Sequence, residues 1–241
     1  MSGRQSIVHR LPRELLCCIL ASSSDLGSLT AAVLSCRTFY SLFERSKESL
    51  IKSVLINRIG VEVLPEAILT YEFCLPYLEF SFDDLEEEDI SQMVQDVSKF
   101  LYPLTRPTLT SATWTMEEAL AIESFHTSVV DPLTQKFIQS CAASSIFPLG
   151  ESLSARPVSH LEKQRIIRAL YRFELFRKLF GNWFFSEPND QDFFRDFAAK
   201  FCSHFAPWEI VQLGCIHDFL HGEVMTGMHT LHILVKLATI Y

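Results

Sequence analysis

The chain has 241 residues, with 21 lysines and arginines against 29 aspartates and glutamates, a net charge of −8 and a mean hydropathy of +0.17. Apolar residues make up 48% of it and charged residues 21%, which excludes intrinsic disorder and puts a buried core within reach without disulfides or metals. The acidic balance argues against a dedicated nucleic-acid binder, and the positive hydropathy predicts either a large core or apolar surface reserved for a partner.

At the amino end, Arg4, Arg10 and Arg13 precede the apolar run 15–21. The layout is that of an export signal, but the run is short and abuts Pro12 and Glu14, so none is expected. The helix predicted from Leu11 to Ala21 has Leu11, Leu15 and Ile19 on one face, with Pro12 in its first turn. Ser22 to Asp25 breaks the chain. Asp25 or Ser24 then caps a second helix carrying Leu26, Leu29 and Val33. A third is predicted from Arg37 to Ile59, with a stripe of Leu42, Leu50, Val54 and Leu55.

Val61 to Phe73 reads as a shorter helix, with Pro65 near its start. The acidic run 83–89 suits a helix start, where negative charge favours the macrodipole. Residues 102–114 read as a loop between subdomains. Thr115-Met116-Glu117-Glu118 is a capping-box pattern before a helix to Cys141. After a second connection at 146–157, a helix is predicted from Ser159 to Phe180, stopped by Gly181. Residues 186–192 form a loop and cap. Phe193, Phe197, Phe201 and Phe205 recur every four residues, a core pattern. Pro207 opens a helix to His221, Gly222 ends it, and a last apolar helix follows to Tyr241. The stretch 224–241 is barely long enough to span a bilayer and holds His229, His232 and Lys236, so no membrane segment is predicted.

Seven cysteines, an odd number without a C-x-x-C pair, predict reduced thiols and a cytoplasmic or nuclear location. Phosphate-binding glycine loops, a nucleophile elbow and H-E-x-x-H are absent, which lowers the expectation of an enzyme. Cys202, His204, Cys215, His217 and His221 fall within twenty positions, and His217 and His221 are spaced to share a helix face. The C-x-H spacings depart from familiar zinc sites, so these residues are read as structural and no metal or cofactor is expected. Arg165, Arg168 and Arg172 share a face of the helix 159–180. They read as a solvated stripe that pairs with the run 83–89, or as a groove for an anionic partner.

Leu11-Pro12-Arg13-Glu14-Leu15-Leu16, then Ile19, Asp25-Leu26, Leu29 and Leu34-Ser35-Cys36-Arg37-Thr38-Phe39-Tyr40 resemble an F-box. Phe39 stands where that motif usually has tryptophan, and the 19–25 segment is about two residues short. The segments 168–176 and 207–220 are similar to those of a filamentous-fungal group of F-box-like proteins. The resemblance implies docking of a Skp-type adaptor of a cullin–RING ubiquitin ligase through Leu11, Pro12, Leu15, Ile19, Leu26, Leu29 and Phe39. It also implies recruitment of a protein substrate by the remainder.

The expected fold is all-α, with about ten helices: an F-box-like unit over 1–60 packed on a larger irregular helical domain over 61–241. The expected role is a non-enzymatic interaction protein without nucleic-acid or membrane partners. A helical scaffold with no ligase link is the alternative, and a zinc-binding protein or hydrolase a lesser one. Trp208 and Glu209 are marked as structural or binding residues in the carboxyl region.

Overall fold

The computed structural model describes residues 11–72, 115–143, 157–180 and 191–238. Most of these are helical, joined by short connections, with no strand among them. The expected helix at 83–101, the 102–114 loop, Cys74, most of the 146–157 connection and Gly181 lie outside the described residues, as do the side chains of Phe193 and Phe197.

Three helices open the fold: α1 (Arg13–Ala21), α2 (Leu26–Ser35) and α3 (Arg37–Ile59). Asp25 caps α2 by accepting from the Ser28 amide at 2.7 Å. Hydroxyls of Ser24 and Ser28 also donate to it, and with that amide they hold its carboxyl below the usual range. Asn57 on α3 donates to the Ala21 carbonyl at 2.8 Å and pins the end of α1. The stripe Leu42, Leu50, Val54 and Leu55 is buried, together with Phe43, Ile51 and Ile59. The helix kinks at Ser46, between Leu42–Phe43 and the buried residues from Leu50 onward.

The expected face of α1 is not the buried one. Leu16 and Leu20 enter the core, whereas Leu15 and Ile19 are 50% and 48% exposed. The spacing of four from Leu11 marked one apolar face. Contact with α3 selected the neighbouring one, because Leu16 and Leu20 lie one position further round.

Gly60 turns the chain into α4 (Leu64–Glu72) with a φ of 103°. The Gln164 side chain lies where a Cβ at Gly60 would sit, so this position needs glycine twice over. The capping box at Thr115 forms as expected, with Thr115 Oγ1 accepting from the Glu118 amide and Glu118 accepting from the Thr115 amide. It opens α5 (Met116–Phe125), which continues through a π-turn (His126–Val130) into α6 (Asp131–Ala143). Pro132 lies two residues beyond that turn and has no N–H for the Ser128 carbonyl, a local reason for the widened ladder.

The helix α7 (His160–Phe180) packs against α4, α6 and α9 (Pro207–Ala238), and α8 (Gln191–Cys202) precedes the last of these. Ser159 and Glu162 form a second capping box, with the Glu162 amide donating to Ser159 Oγ and Glu162 accepting from the Ser159 amide. The pattern Ser-x-x-Glu was present and went unread. A further correction concerns Gly222. It sits inside the continuous helix α9 rather than ending one, and no atom outside its own helix lies within 4 Å of where its Cβ would be.

The core is continuous across position 60. Leu20, Leu29 and Leu55 belong to the same buried cluster as Ile122, Ile167 and Tyr171. The first three helices are therefore seated on the rest of the chain through a shared interior.

Candidate functional site

Two surfaces and two buried polar networks are the places where this fold concentrates chemistry. The first surface is the outer face of α1. Pro12 takes the N-cap position with an extended backbone (φ −55°, ψ 146°) and no side-chain cap, one residue earlier than the first-turn placement expected of it. It is exposed, and Leu15 and Ile19 continue from it at three and seven residues, so the three lie along one helix face. Leu11 is half-buried and borders a shallow depression with Leu42, Arg37 and Thr38.

The other expected contact residues point elsewhere. Leu26 and Leu29 are 0% exposed, so they offer a partner no surface. They bury α2 against α3. Phe39 is partly buried and packs on the same core. Leu34 and Tyr40, not expected, are 74% and 51% exposed. The aspartate–leucine pair thus has an internal role, in which Asp25 caps α2 while Leu26 plugs the core beside it.

The second surface is a groove of about 600 Å³ between α6, α7 and α9. Phe137, Ile138, Ile166, Ala169, Val211 and Ile216 supply its apolar wall. Cys141 and Cys215 also line it and are exposed free thiols. Burial pushes the Cys141 thiol up, which favours the protonated form at neutral pH and slows, without preventing, its alkylation. The charged groups of the lining are Glu162 and Arg165. Glu162 Oε2 is engaged by the Ser159 amide at 2.7 Å and hydroxyl at 2.6 Å.

The first buried network centres on His126, 1% exposed in the π-turn. Its Nδ1 lies 3.1 Å from the Tyr171 hydroxyl and its Nε2 lies 3.6 Å from Asp131 Oδ1. Arg58 pairs with Asp131 at 2.8 Å. Burial lowers the His126 pKa from 6.5 to about 4, against the pull of Asp131. Burial also raises the Tyr171 hydroxyl well above its ordinary range. Both groups are neutral at pH 7. The assignment that suits every partner places the imidazole proton on Nε2, facing Asp131, with Tyr171 donating to Nδ1. The network joins α3, the π-turn, α6 and α7.

The second network takes Arg172 and Arg168 out of the expected solvated stripe, whereas Arg165 is exposed as expected and the run 83–89 lies outside the described residues. Arg172 is 6% exposed. It donates to Glu66 at 3.0 Å and to Glu209 at 2.7 Å, and its guanidinium lies 4.6 Å from the centre of the Phe205 ring. Arg168 lies 3.8 Å from Glu209. Burial pushes the Glu66 carboxyl up against the attraction of Arg172. Burial also raises Glu209, but the Arg172 bond and the Ala206 amide outweigh it and hold that carboxyl down. Glu66 was not marked from the sequence, since an acid in a first turn reads as surface. Glu209 was marked, and its role is structural. Its neighbour Trp208 is 67% exposed.

The cysteine–histidine cluster is dispersed. His204 Nδ1–H donates to the Lys200 carbonyl at 2.8 Å. Cys215 lines the groove with Cys141, whereas His217 and His221 stack at 6.3 Å beside a different depression. Cys202 is partly buried, and Cys215 is exposed rather than in the core. Among the described residues, no three histidine, cysteine or acidic side chains group as a metal ion would require. No helix among them is long and apolar enough to cross a membrane. Comparison with family models, curated proteins and solved structures finds no match to this chain.

Proposed function

We propose that this chain is a non-enzymatic substrate-recognition subunit of a Skp–cullin–F-box-type ubiquitin ligase. The adaptor docks on the outer face of α1, and the helices beyond position 60 present the surface that recruits a protein substrate. The observation that carries this reading is the division of labour within α1. Leu16 and Leu20 satisfy the core, so Leu15 and Ile19 are left half-exposed beside Pro12 without any internal need for them. Covering the exposed half of one such side chain stabilises a complex by about 1 kcal/mol, roughly half of what full burial contributes. The adaptor-contact set is revised to Pro12, Leu15 and Ile19, with Leu11 at its edge.

Co-expression with a Skp-type adaptor and size exclusion tests this, alongside the double variant Leu15→Asp/Ile19→Asp. Both positions face solvent, so the variant keeps its helical circular dichroism and thermal midpoint. A stoichiometric complex present in the wild type and lost in the variant supports docking through this face. A well-folded wild type that elutes alone would sink the ligase reading and leave the F-box-like segment as three helices that complete the core.

A further inference from the structure

We infer that the groove between α6, α7 and α9 is a binding site for a small amphipathic carboxylate, an alkyl chain with one acidic head, held by Arg165. This site is independent of the α1 face and stands whether or not an adaptor docks there.

The volume is the first argument. About 600 Å³ lies within the range of small-molecule sites, which are apolar walls carrying a few polar groups. An interior would close such a space, because helices pack without voids larger than a water molecule. Here Val211 remains 65% exposed and Val158 42% exposed on the lining, so apolar surface faces the groove from more than one side.

The second argument is charge. The two charged groups of the lining differ in what they have left to offer. Glu162 holds the Ser159 cap with the same oxygen that faces two donors. Arg165 is exposed, and no acidic side chain of the described residues comes within 4 Å of its guanidinium. Its neighbours at three and seven residues, Arg168 and Arg172, both face Glu209. Arg165 is therefore the arginine of that stripe left to meet an external anion, and a guanidinium binds a carboxylate with two parallel hydrogen bonds. An apolar wall whose described lining carries Arg165 as its cation selects an alkyl carboxylate over an alkyl alcohol or an alkylammonium.

The groove carries its own reporters. Cys141 and Cys215 line it as exposed thiols, and Cys18, also exposed, lies on α1 as an internal control. The experiment measures alkylation at each cysteine by mass spectrometry. The probes are decanoate, decanol and decyltrimethylammonium, each below its micelle-forming range. The expected result is that decanoate slows labelling of Cys141 and Cys215 while Cys18 reacts at an unchanged rate. In Arg165→Ala the concentration of decanoate needed rises about tenfold, as loss of a charge-assisted contact predicts. Arg165→Lys restores most of it, and the response to decanol is the same in all three proteins. No protection by decanoate overturns the proposal. So does protection that is equal for the cationic probe or indifferent to Arg165, and so does protection that extends to Cys18.

Discussion

Glu123 accepts the backbone N–H of Leu26 at 3.0 Å, across 97 positions of sequence. The first amide of α2 is thereby satisfied by a side chain of α5. Both groups are buried, so α2 depends on the region beyond position 60 for one of its own terminal hydrogen bonds.

Replacing Glu123 by alanine leaves the Leu26 amide buried without an acceptor. The expected loss is about 1–3 kcal/mol, with Glu123→Gln losing less because its carbonyl still accepts. Urea unfolding measures the loss. Amide exchange at Leu26 localises it, since that one proton exchanges faster in the alanine variant under native conditions.

Arg172→Met removes the cation between Glu66 and Glu209. Breaking a buried ion pair from one side costs about 3–5 kcal/mol, because the remaining charge is unpaired. Glu66 then favours its protonated form, having lost the attraction that opposes its burial. The deficit relative to wild type is thus smaller at pH 4.5 than at pH 7. A deficit that does not change with pH would show that Glu66 is not the group left stranded.

Stability falls as pH drops from 6.5 towards 4 through His126. Its folded pKa of about 4 lies below the ordinary 6.5, so in this window the unfolded chain binds the proton and the folded chain resists it. The effect is absent above 6.5 and complete below 4, where it reaches about 3 kcal/mol. Glu66 has the opposite sign, since its folded pKa is raised and its protonation favours the fold as pH falls. The test is the difference between wild type and His126→Gln in urea midpoints at pH 7, 5.5 and 4.5. The gap should narrow as the pH falls.

Gly222 tests the continuity of α9. It is exposed within the helix and has open space around its Cα, so Gly222→Ala should stabilise by about 0.5–1 kcal/mol. A helix that ended there with glycine in a left-handed conformation would instead be destabilised by the same substitution. The thermal midpoint decides the sign.

Most helices of the described residues were legible in the chain, although α9 was read as two. Asp25, Thr115 and Pro207 mark starts, and the α3 stripe is buried as its spacing predicts. These signals are local, because a cap or an apolar spacing acts within one or two turns. Which of two adjacent apolar faces of α1 is buried was not local. Leu15 and Leu16 are equally apolar, and only the position of α3 separates them.

The same holds for charge. Arg172 and Glu66 read as ordinary surface residues, and Glu209 as a residue of structural or binding importance without a partner named, until three helices bring them to one point; Arg165 stands out only because its neighbours are paired. The sequence by itself determined an all-helical chain, where most of its helices begin and which hydrophobic stripes they carry. Tertiary structure decided which face of α1 is buried, which charges meet and where a groove opens, because those depend on pairs separated by tens of residues, whose positions no local pattern encodes.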